Sequence, residues 1–141
     1  MSIFASKFIA GPKKAIWHII SNTEGEQKCW PSIRSIDIRI IQQKRTEREV
    51  STIFGFKFIE TIDEEPEKSI VVHIAEGPFT GIKTISLKPT DEGRNTIAEI
   101  SWDIHLKVGM RMFSPLVKRY ITDQTRNALE KMAAAVARKG T

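Results

Sequence analysis

The spacing of apolar residues changes period several times along the chain, and each change marks an element. Residues 2 to 10 alternate loosely between apolar and polar positions and end at "AGP", which predicts a first strand. In "PKKAIWHIIS", Ile16, Trp17, Ile19 and Ile20 then fall at helical spacing. Pro12 can open that helix, because the first turn has no use for its missing N–H. A second short helix is expected over "TEGEQKC", stopped by Trp30-Pro31. The period then drops to two. "IRSIDIRIIQQ", "REVSTIFG", "FKFIETIDE", "EKSIVVHIAEG", "TGIKTISLKP" and "NTIAEISWDIHLK" are rich in β-branched and aromatic residues and are separated by polar or glycine-containing turns such as "DEEPE" and "TDEGRN". With the first strand they make seven. Their short links predict an antiparallel meander, because parallel neighbours need longer crossovers. From Phe113 to Val136 the period returns to that of a helix. Phe113, Val117, Tyr120, Ile121, Ala128, Leu129 and Met132 share one face, with Arg119, Asp123, Arg126 and Glu130 opposite. At about 1.5 Å per residue this helix would run to roughly 35 Å, enough to cross a sheet of this size. Ser114-Pro115 either caps it or kinks its first turn.

Composition changes this picture little. The 141 residues are 40% hydrophobic and 28% charged, which excludes disordered, fibrous and disulfide-scaffold classes and fits one domain over residues 1–141. No run approaches the roughly 18 apolar residues of a membrane span, and the basic residues of "MSIFASKFIAGPKK" follow its apolar part, unlike a signal peptide. With a single cysteine, Cys29, expected to be a half-buried thiol, the chain reads as cytoplasmic. Charge is more informative, because the net +5 is uneven. Glu60, Asp63, Glu64, Glu65 and Glu67 cluster in one acidic stretch, while seven basic residues from Arg111 onward face only Asp123 and Glu130. That basic C-terminal face is either a solvated helix surface or one that contacts an anionic membrane transiently. Exposed aromatics interleaved with basic residues are missing, so nucleic acid is not an expected partner.

The order of elements, together with particular residues, carries a resemblance. "IAGPKKAIWHIIS", a strand followed by Ala-x-Pro and a helix bearing an aliphatic and aromatic pair, leads to "CWPSI"; later come "AEGPFTGIKTISLKP" and "EGRNTIAEISWDI" before the terminal helix. In these features the chain resembles the helix-grip superfamily, which includes START lipid-transfer domains, the birch pollen allergen, and polyketide cyclases and aromatases. The segment "QQKRTERE" stands where the pollen-allergen branch carries a glycine-rich loop, which argues against that branch. The resemblance implies an α+β fold, with a seven-stranded antiparallel sheet curled around a long C-terminal helix and a ligand cavity between them. It implies a hydrophobic small molecule or lipid-like ligand. No cofactor is expected.

Strand parity then decides which side chains can face such a cavity. In "AEISWDIHLK" the grouping of Glu99, Ser101, Asp103 and His105 looks like hydrolase chemistry. Alternation puts all four on one side, with Ala98, Ile100, Trp102, Ile104 and Leu106 on the other. Burying the ionisable set would cost several kcal/mol or more per unpaired charge, so the apolar set is expected to face inward, with Trp102 at the ligand. On a neighbouring strand Lys83 has the parity of Ile85 and Leu87, and it either holds an acidic head group or snorkels to water. Arg34 shares the parity of Ile36, Ile38 and Ile40, as a rim residue or plain surface. His73 is flanked by apolar residues of both parities and is either a satisfied core histidine or a ligand contact. On the terminal helix Tyr120, Gln124 and Phe113 fall on the apolar face, and Gln124 requires a water, core or ligand partner.

The three histidines lack zinc-type spacing, so no metal is expected. Binding or transport of a hydrophobic ligand is the first functional expectation, with no catalytic residue assigned. A cyclase or dehydratase using His73 or Glu60 in the same cavity is the second. An interaction module using the basic helix face is the third.

Overall fold

The computed structural model describes residues 1–42 and 45–139. Its elements follow the order read from the periodicity: β1 (Ser2–Ile9), α1 (Lys13–Ile20), α2 (Thr23–Cys29), β2 (Ile33–Gln42), β3 (Arg45–Thr52), β4 (Lys57–Glu65), β5 (Ser69–Glu76), β6 (Phe79–Thr90), β7 (Asn95–Leu106) and α3 (Ser114–Lys139). Gln43 and Lys44, within the "QQKRTERE" segment, lie outside the described residues, as do Gly140 and Thr141. A short 3-10 turn over Val108–Phe113 precedes α3, so the helix begins one residue later than the apolar spacing indicates.

The strands form one antiparallel sheet in the order β1-β7-β6-β5-β4-β3-β2. Six consecutive strands make a meander, and β1 returns to pair with β7 from Ser2↔Asp103 to Ile9↔Thr96. That pairing brings the start of the chain beside its last strand. The two short helices close one end of the concave face. Asn22 caps α2 by accepting from the Gly25 N–H at 2.7 Å, which satisfies one of the free donors of the first turn. A Cβ on Gly25 would lie 1.8 Å from the Ile19 carbonyl oxygen, so only glycine lets α2 pack this closely on α1.

The helix α3 does not rest evenly on the sheet. Its C-terminal half buries Ala128, Leu129, Met132 and Val136 in a core with Ile9, Ile16, Ile19, Ala98 and Ile100. Its N-terminal half leaves Leu116 and Tyr120 exposed. Close packing at one end and separation at the other leave a space between α3 and the sheet.

Candidate functional site

That space is a cavity of about 300 Å³, at the small end of the roughly 300–1,000 Å³ typical of small-molecule pockets. The sheet supplies Val50, Phe58, Ile74, Phe79 and Trp102, and α3 supplies Val117, Ile121 and Gln124. Alternation places the strand residues on one face. Val50 pairs with Phe58 across β3 and β4, and Lys83 with Trp102 across β6 and β7. The aromatic rings brace one another: Phe58 lies 5.0 Å from Phe79, and Trp102 packs edge-on against Trp30 at 5.9 Å and Phe79 at 6.5 Å, all within the range where such pairs attract. The Trp102 indole N–H donates to the Thr125 hydroxyl at 2.9 Å, and that hydroxyl donates to the Ile121 carbonyl at 2.7 Å. Both polar groups are thereby satisfied, and the indole ring stays fixed against the cavity.

The mouth lies between the β3–β4 turn and the start of α3. Phe54 in the turn meets Tyr120 on α3 edge-on at 5.9 Å, and both line the cavity. Ile53, Phe54, Phe56, Val108, Met112 and Leu116 are all exposed around it. Lys57, Lys107, Arg111, Lys118 and Arg119 are exposed in the same segments.

The inner end is polar. Lys83 is only 5% exposed, and its ammonium lies 4.4 Å from the ring centre of Trp30 and 5.1 Å from that of Trp102. Both distances fall within the cation–π range of about 6 Å. It makes no hydrogen bond or ion pair with any described residue. Burial pushes its pKa down from the ordinary lysine value, opposed by the Glu26 and Glu60 carboxylates and reinforced by Arg48. Lys83 and Trp30 also border a second chamber of about 110 Å³ beneath α2, lined by Arg48, Glu26, Glu64 and Thr46. That volume is well above the roughly 10–15 Å³ a water requires.

Between the chambers Arg48, 3% exposed, forks onto Glu26 with two hydrogen bonds of 2.5 Å and donates from Nε to Glu60 at 3.0 Å. Burial works against its charge, but the two carboxylates more than offset this and raise its pKa. Glu64 at the chamber wall has its pKa raised by burial and by Glu26. Cys29 is buried, not half-buried, and its thiol is pushed up to about 11 by burial and by Glu26.

Of the residues singled out in the sequence, Trp102, Tyr120, Gln124 and Lys83 line the cavity together. Lys83 does not snorkel, because its strand carries it to the middle of the concave face. Gln124 is half-buried, and its amide has no hydrogen bond to a described residue. Three expectations are corrected. Arg34 is exposed and off the cavity wall, because β2 is bulged between Ile33 and Ser35 and the alternation restarts there. His73 faces the opposite side of β5 from Val72 and Ile74, with its Nε2 3.4 Å from Asp63. Arg45 forms a bond of 3.0 Å to the same Asp63, whose pKa is lowered mainly by that guanidinium. Phe113 ends the 3-10 turn, is exposed and does not line the cavity. The residues that parity alone did not single out are Trp30, Arg48, Glu26 and Thr125. For Thr125 a signal was present, since it lies four residues from both Ile121 and Leu129 on the buried stripe.

Neither a family model nor a curated protein matches the sequence. Solved structures do match. A protein of Thermus thermophilus superposes with a TM-score of 0.84 at 15% identity over 100% of both chains. The Zhui aromatase/cyclase of Streptomyces sp. R1128 gives 0.83 at 12% identity, over 100% of this chain and 96% of that one. A START superfamily protein of Mycobacterium smegmatis gives 0.71 at 17% identity, over 96% and 93%. The chain has the helix-grip fold. In helix-grip terms the sheet is the palm and α3 the gripped helix, and the cavity lies where the grip is loose. No described helix is long and apolar enough to cross a membrane.

Proposed function

We propose that this helix-grip protein binds a hydrophobic small molecule or lipid-like chain between the sheet and α3, with an acidic or otherwise electron-rich head group toward Lys83. The observation that carries this reading is the combination of an apolar cavity of about 300 Å³ with two inward polar groups, Lys83 and Gln124, that lack hydrogen-bond partners among the described residues. Both groups open on the cavity, and a ligand that supplies acceptors there satisfies donors that no described residue engages. The fold it shares with a START superfamily protein and with an aromatase/cyclase supports a ligand-holding cavity. The rim of exposed apolar side chains and lysines or arginines around the mouth fits loading from an anionic membrane surface, where each basic residue contributes about 1 kcal/mol.

One observation favours a second reading. Glu60, held by the Arg48 guanidinium, lines the cavity together with Lys83, so a carboxylate and an amine border one apolar space. Such a pair suits proton transfer during ring closure or dehydration of a bound ligand.

Native mass spectrometry of gently purified protein, followed by organic extraction, tests the first reading. A co-purifying apolar molecule, or uptake of added fatty acids or aromatic polyketide analogues, is expected. Failure across a broad panel of both would overturn it. Turnover that disappears in Glu60→Gln while uptake persists would move the second reading ahead.

A further inference from the structure

We infer that Lys83 is a covalent attachment point, at which its amine forms a reversible imine with an aldehyde or ketone carried on an apolar ligand. The inference rests on the proposed ligand-binding role of the cavity and names the chemistry at its inner end. Lys83 is the only buried lysine among the described residues, and it opens on the cavity with neither hydrogen bond nor ion pair to hold its protons. An amine desolvated in this way is a nucleophile that its solvated counterparts are not.

The charged groups around it come from three elements: Glu26 on α2, Arg48 on β3 and Glu60 on β4, with Glu64 farther back at the inner chamber. The carboxylates favour its ammonium, while burial and Arg48 favour the neutral amine. Burial prevails, so the nucleophilic form is reached at lower pH than for a solvent-exposed lysine.

The step balances without a co-reactant. The nitrogen lone pair attacks the carbonyl carbon, a C–N bond forms, and the two hydrogens of the amine leave with the carbonyl oxygen as water. When the imine is then protonated it carries the same single charge as the ammonium. It would sit where that ammonium sits, over the faces of Trp30 and Trp102, which stabilise a cation there. The polar chamber behind Lys83 can take up the released water, which keeps the imine reversible, and the ligand tail points toward the mouth.

The experiment uses the full chain at neutral pH with decanal and sodium cyanoborohydride, read by intact mass and by peptide mapping. Decanol, which cannot form an imine, serves as the binding control and is followed by tryptophan fluorescence. The expected result is one reduced adduct per chain, on Lys83, formed at least about tenfold faster than the mean for the exposed lysines because, among the described lysines, this amine alone is desolvated and meets a bound carbonyl. Decanol should suppress that adduct, and Lys83→Arg, which keeps the charge, should lose it. The wild-type peptide map decides the matter even if the variant does not fold. Labelling spread over the surface lysines, with decanol binding intact, overturns the inference and leaves the cavity reading standing. Absence of both labelling and decanol binding overturns the two together.

Discussion

Replacing Arg48 by methionine isolates the interaction that holds α2, and with it Trp30, against the sheet. Arg48 is buried, and its partners Glu26 and Glu60 have side chains only 14% and 9% exposed. Met fills much of the same volume but leaves two largely buried carboxylates without the guanidinium that pairs them, with only the more distant Lys83 ammonium to offset their charge. Breaking a buried pair from one side costs about 3–5 kcal/mol, most of it the penalty for the charge left behind. With a urea slope of about 2 kcal/mol per molar for a chain of this size, the unfolding midpoint should fall by roughly 2 M. Equilibrium unfolding followed by tryptophan fluorescence at pH 7 measures it.

A pH series supplies the sign. Unpaired burial raises the folded-state pKa of both carboxylates above the unfolded value, so the folded variant binds more protons than the unfolded chain between the two. The deficit is therefore largest at neutral pH and shrinks as pH falls toward about 5. The combined variant Arg48→Met, Glu26→Leu, Glu60→Leu removes the charges as well and should return to within about 1 kcal/mol of wild type. A deficit in Arg48→Met below about 1 kcal/mol, or one that does not shrink on acidification, would refute the reasoning.

Other outcomes follow from the same geometry. Lys83→Met removes an ammonium that the folded state disfavours. Because the folded-state pKa of Lys83 is depressed, wild type loses stability as pH falls from the ordinary lysine value of 10.5 through that window, and the variant does not. In thermal melts the variant should be more stable than wild type at pH 7 by about 1–3 kcal/mol, with the gap closing as pH rises toward the alkaline limit; a less stable variant contradicts this. Gly81→Ala puts a Cβ 2.0 Å from the Asp103 carbonyl oxygen at a φ of 146°, so it should cost at least about 1–3 kcal/mol in urea unfolding, and near-wild-type stability would contradict the close approach of β6 to β7. Phe54→Asp at the mouth should lower flotation with phosphatidylserine-containing vesicles, while Ile82→Asp, also at an exposed apolar residue but on the opposite face of the sheet, should not; equal effects would place membrane contact elsewhere.

The elements were legible because the hydrophobic period switches cleanly between two and 3.6, and the switches coincide with turn residues. Parity worked where a strand is unbroken. β7 pairs with both neighbours without a bulge, so Ala98, Ile100, Trp102 and Ile104 turn inward together while Asp103 and His105 stay exposed. It failed in β2, which is bulged twice, so that Arg34 does not follow Ile36. It was undecided at His73, whose neighbours are apolar on both faces. Phe113 was misplaced because the 3-10 turn sets a different phase from the helix that follows. The Arg48 cluster was out of reach for another reason. Its partners lie 12 and 22 residues away, and only the strand register and the docking of α2 show that opposite charges coincide at a position where charge alone argues for the surface.

The central claim is that the space between the sheet and α3 receives an apolar ligand. Indole N–H resonances test it most directly, because the chain has three tryptophans and only Trp30 and Trp102 line the cavity, while Trp17 packs elsewhere in the core. Titration with decanol or a medium-chain fatty acid, followed by two-dimensional ¹H–¹⁵N NMR, should shift the Trp30 and Trp102 signals saturably and leave Trp17 in place. Equal movement of all three signals, or no saturable movement with any member of a broad apolar panel, would contradict the account.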